Sequence, residues 1–245
     1  DGSGNAKLLN LIQSENTVRE VLALDGTSSN NNWFSYAYIW KGSSDSAWTT
    51  ISNWVYADGT TQALYYPPFG AKLADIVIDT TTGKNNLELG SGVGGTSPIK
   101  IKSLTNNAGK TVDFGSCSLE ADTLTNNGTV RAVGASTQSI TGTMVNGSGS
   151  TVEYYGDFAK LLWDGNATSD GMQYENLLFK SVTSVSPSVS DKIAVNGNLV
   201  FDTTKDMSFA GNVNVTGNVD VDNTGNLSFA GVVSVTGTSD INSGT

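Results

Sequence analysis

Valine and asparagine alternate through the last part of the chain. Val213, Val215, Val219 and Val221 are interleaved with Asn212, Asn214, Asn218 and Asp220. A period of two predicts strands with one inward and one outward face, not a helix. The pattern also recurs at a fixed distance. Met207-Ser-Phe-Ala-Gly-Asn-Val-Asn-Val-Thr-Gly217 returns 20 residues later as Leu227-Ser-Phe-Ala-Gly-Val-Val-Ser-Val-Thr-Gly237, with 8 of 11 positions identical. A short unit that cannot bury its apolar face alone, repeated at constant spacing, predicts a solenoid. Twenty residues of short strands and Gly/Asn turns per unit make it an all-β fold, a right-handed single-stranded parallel β-helix.

The same register can be followed upstream. Leu104-Thr-Asn-Asn107, Leu124-Thr-Asn-Asn127 and Met144-Val-Asn-Gly147 are each 20 apart, which places Asn106, Asn126 and Asn146 at one position of three successive coils. Stacked amides there form a hydrogen-bonded ladder along the axis, a structural role and not a ligand site. Thr111-Val-Asp-Phe114 and Thr151-Val-Glu-Tyr154 are 40 apart, with Thr129-Val-Arg131 slipped by two residues between them, as a longer or shorter turn allows. Residues 156–170 and 181–191 break the rhythm and read as loops projecting from the side. Residues 1–72 read as a leader and an aromatic cap region. Residues 73–245 read as the β-helix, expected to continue beyond residue 245 in a parent chain, because an uncovered last coil exposes strand edges. Near the start, Thr17 and Glu20 have capping-box spacing. Val18 to Leu24 fits a strand as well, so a short helix or an extended cap is expected there.

Residues 33–69 have a different texture, holding four of the five tryptophans. Trp33, Tyr36, Tyr38, Trp40, Trp48 and Trp54 fit two readings. One is a carbohydrate-stacking platform of flat rings. The other, which we favour, is a cap whose large side chains shield the first coil, since aromatics bury the most area per residue.

The stretch Trp40-Lys-Gly-Ser-Ser-Asp-Ser-Ala-Trp48, then Asn53-Trp54 and Ala74-Asp-Ile-Val-Ile78, resembles an opening segment of large bacterial surface proteins. Tyr174-Glu-Asn-Leu-Leu-Phe179 and Val195-Asn-Gly-Asn-Leu-Val200 look like their repeats. The resemblance is to autotransporter passengers and filamentous adhesins, and it covers roughly residues 38–245. It implies a secreted or surface-attached bacterial protein, a rigid stalk or adhesin that meets host or glycan ligands through loops and side faces. It brings no catalytic residues with it.

Composition narrows the chemistry. The net charge is −10 with a pI near 4.3, and Arg19 and Arg131 are the only arginines, so the clustered cations that nucleic acid or anionic lipid needs are missing. No run of 18 apolar residues is present to span a membrane. The count of histidines is 0, which removes Ser-His-Asp and Cys-His catalysis and histidine metal sites. The single Cys117 allows no intramolecular disulfide. No cofactor is expected, with calcium as the one candidate: Asp220 with Asp222, and Asp164 with Asp170, place oxygen ligands in turns, though neither segment has the full EF-hand pattern. The remaining alternatives are a β-helical polysaccharide lyase or hydrolase, with Glu120 and Asp122 beside Arg131 in the neighbouring coil, and a carbohydrate-binding module using the Trp/Tyr cluster.

Overall fold

The computed structural model of this 245-residue chain describes residues 13–14, 17–18, 36–70, 72–80, 82–90, 93, 98–162, 172–183, 188–189, 191–222 and 225–241. They form an all-β parallel solenoid. The alternating pattern becomes alternating burial: Ala74–Ile78 buries its first, third and fifth residues, and Val213–Val215 buries both valines around an exposed Asn214.

One coil of the C-terminal part contains Leu199–Asp202, Met207–Phe209 and Val213–Val215, after which Val219–Val221 returns to stack on the first of these. Successive coils pair in parallel and in register, Leu199 beside Val219, Met207 beside Leu227 and Val213 beside Val233. The duplicated sequence is therefore one turn of the solenoid. In earlier coils two of the three faces are joined in one bent strand, Leu119–Asn126, which pairs with Ile140–Asn146. The bend is a bulge. Ala121 and Asp122 together oppose the single Gly142, whose φ of 124° is open to glycine and to few other residues.

The longest sheet stacks eight parallel strands. Its first inward column runs Leu87, Val112, Val130, Val152, Leu177, Leu199, Val219. Two residues further on, Ala132, Tyr154, Phe179, Phe201 and Val221 form a second column. The Phe179 and Phe201 rings lie 5.3 Å apart and within 5° of parallel. Each such buried side chain contributes roughly 1.5–3 kcal/mol before conformational entropy is subtracted. The repeat averages about 21 residues. Val112 to Val130 is 18 residues and Val152 to Leu177 is 25, so the turns absorb the difference while the strands keep register. The two-residue slip read around Thr129 is this variation: Thr111, Thr129 and Thr151 are paired neighbours.

The glycines of the repeat are set by close approach between coils. A Cβ on Gly217 would lie 2.4 Å from the Gly197 carbonyl oxygen, and one on Gly237 2.4 Å from that of Gly217. We expect Gly217→Ala to cost about 1–3 kcal/mol through forced separation of two coils, read as a lowered urea midpoint; an unchanged midpoint would contradict the contact.

At the N-terminal side of the seven-stranded sheet Tyr36–Trp40 lies parallel to Ala74–Ile78 and antiparallel to Trp54–Tyr56. The antiparallel strand turns the chain back on itself and covers that edge. Thr17–Val18 pairs antiparallel with Gln13–Ser14, so Thr17 lies in a strand and is not the N-cap of a helix; residues 19–24 lie outside the described residues. Two loop expectations also change. Residues 157–162 do not project, because Phe158, Leu161 and Leu162 are buried and the Leu162 N–H donates to the Tyr154 hydroxyl at 2.8 Å. Within the second loop Ser188–Val189 is a strand beside Ser208 and Phe209. No helix among the described residues is long and apolar enough to cross a membrane. At the other end Val232 and Ile241 are 67% and 68% exposed on the last described coil.

Candidate functional site

The described tryptophans of the aromatic block are turned inward. Trp40, Trp48 and Trp54 are fully buried and Tyr38 is nearly so. Trp54 sits between Trp40 at 5.0 Å and Trp48 at 5.1 Å, both edge-to-face. All three indole N–H groups donate to backbone carbonyls: Trp40 to Asn85 at 3.0 Å, Trp48 to Pro67 at 2.8 Å and Trp54 to Trp48 at 2.8 Å. The buried Asn53 organises the preceding loop. Its oxygen accepts from the Ser44 N–H at 2.8 Å, and its amide donates to the Asp45 carboxylate at 2.8 Å. A sugar needs an open ring face, and Tyr38, Trp40, Trp48 and Trp54 have none; these four rings belong to the buried core. Trp33 and the Tyr36 side chain lie outside the described residues.

Arg131 is not beside Glu120 and Asp122. The parallel register puts it between Asp113 and Glu153 on the eight-stranded sheet, where it donates to Asp113 at 2.9 Å and to Glu153 at 3.0 Å. Its guanidinium lies 4.6 Å from the centre of the Tyr155 ring, and the Tyr155 hydroxyl donates to Asp113 at 2.7 Å. Burial and the Asp113 carboxylate push the Tyr155 phenol well above its ordinary range. Burial alone would lower the Arg131 pKa, but the bonds to Glu153 and the charge of Asp113 outweigh it. Glu120 and Asp122 are on another face, held by lysines: Lys100 lies 3.1 Å from Glu120, and Lys72 bridges Glu120 at 3.4 Å and Asp122 at 3.1 Å. The hydrogen bond from Lys100 holds the Glu120 carboxyl below the usual range. A groove combining Arg131 with Glu120 and Asp122 therefore does not exist. Glu120 and Arg131 belong to one coil, on different faces of it, and not to neighbouring coils.

Of the calcium candidates, Asp164 and Asp170 lie outside the described residues. Asp220 lies within Val219–Val221 and Asp222 just after it, with Asp240 beside Asp220 in the next coil. Among the described residues no group of three or more His, Cys, Asp or Glu side chains is arranged to hold a metal ion. Cys117 is buried, and its thiol donates to the Ser118 carbonyl at 3.4 Å.

The asparagine ladder is present. Asn106 and Asn126 are fully buried, and Asn106, Asn126 and Asn146 are paired in register. The Asn106 amide donates to the Asn126 oxygen at 3.0 Å, and that of Asn126 to Asn146 at 3.5 Å. Asn146 in turn donates to the Gln173 carbonyl at 3.0 Å. All donate toward the C-terminal coils. The Asn106 oxygen consequently has no donor, because its neighbour in the preceding coil is Ile78.

A second ladder escaped the sequence reading. The side-chain oxygens of Asn176, Asn198 and Asn218 accept the backbone N–H of Asn198 at 2.9 Å, Asn218 at 3.2 Å and Thr238 at 3.0 Å respectively. Its signal was available, an asparagine directly before each of Leu177, Leu199 and Val219. No protein-family model, curated protein or solved structure matches this chain.

Proposed function

We propose that this chain is a non-catalytic, rigid segment of a secreted or cell-surface bacterial protein, a stalk or adhesin module whose ligands meet its side faces. The observation that carries this reading is the fate of its one described arginine. Arg131 spans three coils as an internal clamp with Asp113, Glu153 and Tyr155, and the acids of the other face are bound to lysines. Groups that would have to act on a substrate are engaged in joining coil to coil. The inward columns and amide ladders support the same reading, since they favour stiffness along the axis. The resemblance of the Trp40–Trp54 block and the coil sequences to bacterial surface proteins supports the location. Partners of this module would be a host receptor or a glycan.

The test is incubation of the purified chain with a panel of host and plant polysaccharides, with and without calcium, reading both retention and new chain ends. Retention without cleavage, unaltered in Arg131→Met, is the expected result for an adhesin module. New chain ends that disappear in Arg131→Met would overturn the non-catalytic reading.

A further inference from the structure

The sequence contains three Asn–Gly pairs, Asn127–Gly128, Asn146–Gly147 and Asn196–Gly197. Asn–Gly is the dipeptide in which the glycine nitrogen most easily attacks the preceding side chain. In that reaction the glycine nitrogen, losing its proton, bonds to the asparagine Cγ and ammonia leaves. Water then opens the succinimide ring at either carbonyl, giving aspartate or isoaspartate. The net change is one water consumed and one ammonia released, with no oxidant or catalyst needed. Two groups control it: the glycine N–H, which must be free to deprotonate, and the side-chain amide, which must be free to swing onto it.

In this solenoid all three glycine N–H groups are engaged. Gly147 donates to the Asn126 carbonyl at 2.7 Å and Gly197 to the Glu175 carbonyl at 2.7 Å, both in the preceding coil. Gly128 donates to the Asn126 side-chain oxygen at 3.1 Å, itself part of the ladder. The attacked side chains are held too. The Asn146 amide donates to the Gln173 carbonyl at 3.0 Å, and that of Asn196 to the Glu175 carboxylate at 2.8 Å. The Asn127 side chain packs over Gly147, where a Cβ would lie 2.1 Å from its oxygen. Asn196 is exposed to solvent, so access of water is not what restrains it.

We propose that bonding between coils keeps every Asn–Gly pair of this protein chemically inert, directly at Gly147 and Gly197 and, at Gly128, through the Asn126 side chain that Asn106 and Asn146 hold, so that deamidation is gated by separation of adjacent coils. Asn127, Asn146 and Asn196 then form a set of modification sites that opens only when the solenoid unzips. Modification at Asn146 would put a carboxylate against the Asn126 amide and the Gln173 carbonyl, and re-closure would be impaired.

The test uses the full chain at mildly alkaline pH, native and in concentrated urea, with peptide mapping by mass spectrometry over days. We expect each of the three sites to deamidate at least about ten-fold more slowly in the native protein. Amide hydrogen exchange at Gly128, Gly147 and Gly197 should be slow in the same sample. Native rates within about two-fold of the unfolded rates would overturn the proposal. So would slow deamidation accompanied by unprotected glycine amides, since general rigidity and not the hydrogen bonds would then be responsible. A second arm uses Glu175→Ala, which frees the Asn196 amide while leaving the Gly197 bond to a backbone carbonyl. It should raise the rate at Asn196 alone, and equal rises at all three sites would also overturn the proposal.

Discussion

Replacing Asn126 with alanine should destabilise the solenoid by about 3–5 kcal/mol. The side chain is fully buried and bonded on both sides. Its oxygen accepts from Asn106 at 3.0 Å and from the Gly128 N–H at 3.1 Å, and its amide donates to Asn146 at 3.5 Å and to the Thr151 carbonyl at 3.1 Å. Alanine removes all four bonds and supplies none. The Gly128 N–H and the Thr151 carbonyl lose these partners, each at roughly 1–3 kcal/mol for a buried polar group without a bond, and a small void adds to that. Asn106 loses less, because its amide still donates to the Thr129 carbonyl at 3.0 Å. Urea unfolding is the measurement. Asn126→Asp adds a pH signature. A buried carboxylate beside the Thr151 carbonyl has its pKa raised, so its penalty appears as pH rises above the ordinary range near 3.9 and fades below it. A pH-independent loss would mean that the residue is less buried than described.

The second large effect belongs to the cap. Trp54→Ala should cost about 3–5 kcal/mol, because the ring touches Trp40, Trp48 and Tyr38 and its indole N–H saturates the Trp48 carbonyl. The near-ultraviolet circular dichroism of the whole tryptophan cluster should collapse with it. Tyr65→Ala, 41% exposed in the same region, should stay within about 0.5 kcal/mol of the parent. The contrast decides between the two roles weighed for these aromatics. A binding platform would lose ligand and keep stability, whereas a cap loses stability first. For the same reason Trp40→Ala and Trp48→Ala are tests of folding and cannot report on glycan binding by themselves.

The architecture was legible because its determinants are local and repeated. Alternation at Val213–Val221 gives the strands, and equal spacing of Asn106, Asn126 and Asn146 gives a column that the paired register reproduces. Spacing along the chain does not say which face of a coil a residue occupies. Glu120 and Arg131 are 11 residues apart, about half a coil, which puts them on different sheets. The loop at residues 157–162 was misread for a related reason. Its break in the repeat rhythm suggested a projection, while Phe158, Leu161 and Leu162 fill the core beneath Gly134 and Tyr154. The second amide ladder was missed because its residues sit at strand starts beside turns, where asparagine is ordinary for backbone reasons. Function was the least legible, because the outward Arg131, Glu120 and Asp122 are engaged with other residues of the chain.

Turn length varies from coil to coil while the strands stay paired, their register broken only locally at bulges such as Ala121–Asp122. Two design problems that most folds must solve together are thereby separated. Inward columns are constrained by the coil above and below, so a change there is felt along the whole axis. Turns away from the close approaches at Gly197, Gly217 and Gly237 answer to no such neighbour rule and can lengthen while the flanking strands stay paired. Sequence drift should accumulate in the turns first, and a foreign epitope is best inserted there, where the scaffold has already tolerated seven residues of difference between one coil and another.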